Sequence, residues 1–151
     1  MADFDVTFPD DFMGELLDTD CSEICLTALS EAAPILVDSM KKSARAAVMH
    51  EGESEMVDSI AFSKAKKTKD ESAYITTVGP RGYSDHTYYD KKGRKKRKYK
   101  VSNALKAIWK EYGIAGKQAP RPFLANATQN AAEKVINKLQ EVYRKKTGGH
   151  E

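Results

Sequence analysis

The residues best suited to bind a partner lie between positions 81 and 100, where tyrosines and basic side chains are concentrated. Lysines can neutralise phosphates and tyrosines can stack on bases, so this composition suits a nucleic acid. An acidic protein surface would also satisfy the charge, and a solvated surface loop would have the same composition. The tyrosines are Tyr83, Tyr88, Tyr89 and Tyr99. The basic residues of positions 91–100 are Lys91, Lys92, Arg94, Lys95, Lys96, Arg97, Lys98 and Lys100.

We expect this stretch to contact protein or DNA inside an assembly. Residues 90–100 are predicted to form a basic loop with Gly93 at its tip. The alternation of Tyr99 and Val101 with lysines indicates that the far side of the loop returns as a strand.

Patterns that support catalysis are missing from the sequence. Residues 79–82 are too short for a phosphate-binding loop and lack its lysine–hydroxyl pair, and no serine lies in a nucleophile elbow. Cys21 and Cys25 are the only cysteines, and the three histidines are scattered. A metal site would need more ligands close together. We therefore expect no enzyme activity and no catalytic, cofactor-binding or metal-binding residues.

Charge divides the chain into an acidic N-terminal end and a basic body. Residues 1–40 contain ten Asp and Glu and no Lys or Arg, although the whole chain has 25 basic and 22 acidic residues. Residues 1–19 are predicted to form an acidic arm, in which Phe4, Phe8 and Phe12 are the candidate contact residues. Such an arm is either a disordered terminus or a segment that orders on a partner.

Hydrophobic periodicity predicts a single α+β domain over residues 20–147. A small antiparallel β-sheet is flanked by a long N-terminal helix over residues 20–48 and a C-terminal helix over residues 123–146. Pro34 lies inside the first helix and should kink or divide it.

Two shorter elements are predicted between the long helices. Alternating residues indicate an antiparallel hairpin with strands in residues 57–67 and 73–79. A further helix over residues 103–112 has an apolar stripe, and we expect Trp109 within it to pack into the core and not to stack on a ligand. The stripe consists of Leu105, Ile108, Trp109 and Tyr112.

The stretch after this helix predicts a corner between two helices. Gly113 can adopt a left-handed φ at little cost, so it can end a helix or turn the chain sharply. Pro122 fixes its own φ and disfavours a helical residue before it, which sets a helix start. Phe123 and Leu124 would then anchor the new helix on the core. A helix-turn-helix corner in any small protein would have these features.

The corner and the order of the elements resemble the head–tail joining proteins of long-tailed bacteriophages, also called tail-completion or neck proteins. In that family a Glu-aromatic-Gly turn precedes a Pro-x-Pro-Phe-Leu helix start. The matching residues here are Glu111, Tyr112, Gly113, Pro122, Phe123 and Leu124. The resemblance covers residues 24–146.

The resemblance implies a structural virion protein whose copies form a ring at the head–tail junction. Its partners would be copies of itself, other neck and connector proteins and the tail tube, with possible non-specific contact with packaged DNA. Neck, tail-completion and tail-terminator roles all remain open. The alternative is a small sequence-independent nucleic-acid-binding protein that uses residues 81–100.

Membrane insertion is not expected. No run of about 18 apolar residues is present. The acidic start of the sequence also lacks the features of a signal peptide. We therefore expect the protein to be made in the host bacterial cytoplasm and then incorporated into the virion.

Overall fold

The protein has an α+β fold, as the sequence predicts. The computed structural model describes residues 21–47, 53–90 and 92–148. In chain order its elements are helix α1 (Cys21–Ala47), helix α2 (Ser54–Asp58), strands β1 (Ile60–Phe62), β2 (Lys66–Lys67), β3 (Tyr74–Ile75), β4 (Val78–Pro80), β5 (Tyr83–Tyr89) and β6 (Lys95–Ser102), and helices α3 (Asn103–Tyr112) and α4 (Phe123–Thr147). Within the described residues the strands form three separate antiparallel pairs, β1–β4, β2–β3 and β5–β6.

The two long helices, α1 and α4, pack against each other in antiparallel directions. At one end the Arg121 side chain lies 3.5 Å from the Ala47 carbonyl. At the other end Lys146 Nζ lies 3.6 Å from a carboxylate oxygen of Glu23. Small residues at the shared face let the helices approach closely and bury apolar surface along their length.

The core is built from the apolar stripes of these helices together with α2 and β1. The predicted stripe of α4 is confirmed from Ala127 to Val142, and Leu124 is partly buried. Buried core residues are Ala28, Ala32, Leu36, Val37, Met40, Ala44, Met56, Val57, Ile60, Ala107, Phe123, Ala127, Ala131, Val135, Leu139 and Val142.

Pro34 does not divide the first helix, because α1 is one continuous α-helix from Cys21 to Ala47. Proline removes the hydrogen bond to the carbonyl four residues earlier, which here belongs to Ser30. Both Pro34 and Ser30 are exposed. Water can therefore hydrate the freed carbonyl, and the helix continues.

The first predicted hairpin is confirmed, with shorter strands than expected. Its outer part pairs β2 with β3, and its inner part pairs β1 with β4. A hydrogen bond of 2.8 Å from the Ser63 N–H to the Thr77 carbonyl connects the two parts. The predicted start of the first strand at residue 57 is wrong, because Met56 and Val57 lie in α2 and are buried.

The basic segment is a second β-hairpin. The loop predicted over residues 90–100 is wrong for residues 95–100, which lie in β6, and the predicted return of its far side as a strand is confirmed. Strands β5 and β6 pair from Tyr83 opposite Ser102 to Tyr89 opposite Lys95. The turn is confined to the residues between these strands, where Gly93 has the predicted turn position and a φ of 73°.

Replacing Phe123 with alanine is expected to destabilise the fold strongly. The ring is 1% exposed and lies in the core at the first position of α4. Loss of a fully buried phenylalanine costs about 3–5 kcal/mol. Chemical denaturation measures the change, with Ile136→Ala as the control because Ile136 is 39% exposed. Equal stability of both variants would contradict this position for Phe123.

Candidate functional site

The carboxylate of Glu111 joins the end of α3 to the start of α4. Oε2 accepts the Leu124 N–H at 2.8 Å and Oε1 accepts the Ala125 N–H at 3.1 Å. These first-turn N–H groups have no partner within the helix, and Pro122 at the N-cap position makes no side-chain cap. Glu111 therefore supplies the cap from another helix, and its negative charge suits the N-terminal end of the helix dipole.

Gly113 allows the chain to fold back tightly between the two helices. Its φ is 75°, and a Cβ atom there would lie 2.5 Å from the Gln118 carbonyl oxygen and 2.8 Å from the Pro120 nitrogen. Any other residue would clash with the backbone. A hydrogen bond of 2.7 Å from the Arg121 N–H to the Lys110 carbonyl closes the corner.

The orientation of α3 is the opposite of what its apolar stripe predicts. Leu105, Ile108 and Tyr112 are 40%, 44% and 70% exposed, and Trp109 is half-buried. The expected core packing of Trp109 is wrong, because its ring is half-buried and lies outside the hydrophobic core. The buried side of α3 consists instead of Asn103, Lys106, Ala107, Lys110 and Glu111.

Two of these buried residues attach α3 to the second hairpin. Lys106 Nζ donates to Ser84 Oγ at 2.6 Å and to the Asp85 carbonyl at 2.7 Å. Asn103 Nδ2 donates to the Arg81 carbonyl at 2.7 Å, and its Oδ1 accepts from the Ser84 hydroxyl. Burial lowers the pKa of Lys106, so its hydrogen bonds must offset part of its desolvation.

Lys110 attaches α3 to the segment before α2. Its Nζ has no aligned hydrogen-bond acceptor among the described residues. Its charge is balanced by a carboxylate oxygen of Glu53 at 2.6 Å. Because the Lys110 side chain is only 3% exposed, loss of this carboxylate would leave a buried charge without a counterion.

Aromatic side chains continue the contact between α3 and the hairpin. The His86 ring lies edge-on to Trp109, with centroids 5.7 Å apart, and edge-on to Tyr99 at 5.6 Å. Burial and the nearby Lys106 charge lower the pKa of His86, which favours the neutral imidazole. The exposed side of α3 is thus continuous with the hairpin at Tyr99.

We call this exposed surface the α3 face and define it as Leu105, Ile108, Trp109, Tyr112 and Tyr99. At its C-terminal end Tyr112 also lines an open cleft of about 530 Å³ formed with residues 114–120. Apolar side chains at i, i+3, i+4 and i+7 give α3 a continuous stripe. Exposed patches of this kind mark sites of interaction with other molecules.

The basic residues of the hairpin are partly neutralised within the chain. Lys98 Nζ lies 2.8 Å from one Asp85 oxygen and Lys100 Nζ lies 4.0 Å from the other. The hydrogen bond from Lys98 is the main reason why the pKa of Asp85 is lowered. At the turn the Asp90 carboxylate accepts the Arg94 N–H at 2.8 Å and pairs with the Arg94 side chain. These charge pairs add to the backbone pairing of β5 with β6, and Lys92, Arg94, Lys98 and Lys100 remain exposed.

Some predicted contact residues cannot be compared with the structure. Lys91, Phe4, Phe8 and Phe12 lie outside the described residues. The backbone of β6 is described at positions 95–97, but the side chains of Lys95, Lys96 and Arg97 are not.

The predicted corner residues are brought together, and other important residues were not predicted. Phe123 is buried, Leu124 is half-buried, and Tyr112 is exposed beside the cleft. Sequence reasoning missed Ser84, Asn103, Lys106 and Lys110, which attach α3 to the rest of the fold. The spacing of Asn103, Lys106 and Lys110 along one side of α3 is a sequence signal for these three residues, whereas no such pattern marks Ser84.

Comparison with known proteins gives no match: no family model, curated protein or solved structure is significantly similar to the chain. The resemblance to phage head–tail joining proteins therefore stays a prediction. Across the described ranges, no helix is both long enough and apolar enough to cross a membrane. Those same ranges contain no group of three His, Cys, Asp or Glu side chains that could hold a metal ion.

Replacing Glu111 with glutamine is expected to destabilise the corner. An amide keeps one acceptor oxygen, but its NH₂ group then faces a helix N–H that has lost its acceptor. A buried unsatisfied donor costs about 1–3 kcal/mol, which should appear as a lower free energy of unfolding. Glu133→Gln is the matched control, because Glu133 is exposed on α4. A Glu111 variant as stable as this control would show that the cap is dispensable.

Proposed function

We propose that this protein is a structural component of a long-tailed bacteriophage and forms a ring at the junction between the DNA-filled head and the tail. It would act by binding copies of itself and its neighbours in the virion. The proposal leaves open whether the ring has a neck, tail-completion or tail-terminator position.

The corner between α3 and α4 is the observation that carries this proposal. The sequence resemblance rests on Glu111, Gly113 and Phe123, and each has a structural task at this corner. Glu111 caps α4, Gly113 permits the close backbone approach, and Phe123 fills the core. The motif therefore has a structural role in the turn between two helices. A shared motif of this kind supports a shared fold and implies no chemistry at a pocket.

Two exposed surfaces support an assembly role. The α3 face presents apolar side chains to solvent. The adjoining hairpin has eight basic residues and two acidic ones, Asp85 and Asp90. A protein that acts alone gains nothing from exposing both, since apolar patches promote association and like charges repel. Contact with other subunits would satisfy both surfaces.

The hairpin also supports the alternative function, which is sequence-independent binding of nucleic acid. Tyr83 is 71% exposed and Tyr88 is 49% exposed, so both rings are accessible to bases. However, Lys98 and Lys100 share Asp85 as a partner, and Arg94 is held by Asp90. Their charge is therefore less available to phosphates than the sequence indicates.

Native mass spectrometry and negative-stain imaging of the purified full-length protein test the proposed function. We expect closed rings, or ring formation when head or tail partners are added. Any DNA affinity should be lost steeply as salt is raised. A monomer or dimer that enters no particle and shifts short duplex DNA at physiological salt would favour the alternative function.

Charge reversal on β6 separates assembly from folding. The variant Lys95→Glu, Lys96→Glu, Arg97→Glu leaves Lys98 in place because it pairs with Asp85. We expect thermal unfolding close to wild type and a loss of ring formation. The control makes the same change of charge at Lys64, Lys66 and Lys69, which are exposed on the other hairpin. Normal ring formation by the β6 variant would remove the hairpin from the proposed interface.

A further inference from the structure

We propose that the acidic arm of one copy, residues 1–19, binds the α3 face of another copy. This contact would be one of the interfaces of the ring proposed above, and it rests on that proposal only in requiring that copies associate. The occupant is this chain itself, and the binding surface is the apolar stripe of α3 together with the neighbouring basic hairpin.

The α3 face cannot be buried by a simple rotation of the helix. Lys106 is held by Ser84 and the Asp85 carbonyl, and Glu111 is held by the first N–H groups of α4. Lys110 lies against Glu53. Turning the stripe inward would expose or break all of these contacts, so the apolar side of α3 stays available to a partner.

The surroundings of the α3 face select an acidic partner. The face meets the hairpin through the ring contacts of His86 with Trp109 and Tyr99. That hairpin has eight Lys and Arg and only two acidic residues, Asp85 and Asp90. A suitable partner therefore combines apolar anchors with negative charge.

The arm has this composition. Residues 1–19 contain six Asp and Glu and no Lys or Arg. Phe4, Phe8 and Phe12 recur at every fourth position, which places them on one side of a bound segment whether it is helical or extended. Aromatic anchors of this kind supply much of the binding energy at protein interfaces.

The position at which the arm joins the fold favours another copy as the partner. The start of α1 lies at the far end of the fold, where Ser22 contacts Tyr74 and Glu23 contacts Lys146. The end of α1 lies beside Arg121, whose N–H binds the last turn of α3. The 27 residues of α1 separate these two ends by about 40 Å.

The arm is too short for all three phenylalanines to reach the far end of α1. Phe12 is nine residues before Cys21, and nine extended residues span at most about 30 Å. On its own chain Phe12 therefore falls short of the end of α1 that lies beside the last turn of α3, which favours the α3 face of a neighbouring copy as the binding site.

Other occupants fit this surface less well. Direct contact between the α3 faces of two copies would bring two basic hairpins together, and like charges oppose that arrangement. Nucleic acid would satisfy the hairpin, but its phosphates gain nothing from Leu105 and Ile108.

Mixing two defective full-length variants tests the proposal. The arm variant carries Phe4→Ala, Phe8→Ala and Phe12→Ala, and the face variant carries Leu105→Lys and Ile108→Lys. Each alone should stay monomeric at concentrations where the wild type assembles. Their mixture should form a one-to-one dimer and nothing larger, because only the intact arm of one variant and the intact face of the other can join. Sedimentation velocity and native mass spectrometry measure these species.

The control variant Ile136→Lys adds a charge at an exposed apolar position on α4 and should assemble as the wild type does. Assembly of the arm variant would overturn the proposal and leave the ring in place, and so would a mixture that stays monomeric. If the face variant alone is monomeric while the arm variant assembles, copies join through their α3 faces. A wild-type chain that stays monomeric alone and also enters no particle when head or tail partners are added would overturn the ring and the arm contact together.

Discussion

The two hydrogen bonds from the start of α4 to Glu111 fix the arrangement on which the rest of this structure depends. They require a buried carboxylate on the inner side of α3, at the end of that helix. Once Glu111 points toward α4, the helix period determines which other residues of α3 point inward. Asn103, Lys106 and Lys110 share that side, and the four apolar residues of the stripe must lie on the opposite side.

This arrangement is costly unless every inward polar group has a partner. Buried charges lose hydration, and one unpaired charge can cancel the gain from many apolar contacts. Here Lys106 has two oxygen acceptors and Lys110 has a nearby carboxylate. Within the described part of the chain the apolar side of α3 is largely exposed, so burial of that side remains available as free energy for association.

The long helices could be predicted from sequence because their apolar stripes are buried within the same chain. The orientation of α3 could not, since periodicity reveals a stripe but not whether its partner is the same chain or another molecule. Only the far end of strand β6 could be predicted, because the consecutive basic residues at positions 94–98 hide the alternation of a strand. Strand β6 is held by backbone hydrogen bonds to β5, and the side chains of Asp85 and Asp90 add ion pairs with Lys98 and Arg94. These partners could not be assigned from the sequence.

The corner motif was recognised from sequence for a physical reason. Gly113 and Pro122 constrain the backbone locally, so their effect can be inferred without knowledge of the surroundings. The role of Glu111 as a cap could not be inferred, because its acceptor atoms meet N–H groups 13 and 14 residues away. These hydrogen bonds form only when the turn between α3 and α4 has brought the two helices together.

Fluorescence of Trp109 tests the central claim, that copies join through the outward side of α3. Trp109 is the only tryptophan of the chain, so its emission reports on this surface alone. As rising concentration drives assembly, the emission should shift to shorter wavelength and quenching by acrylamide should fall. Both changes should have the same midpoint concentration as the assembly measured by sedimentation. Assembly with unchanged emission and unchanged quenching would contradict the account.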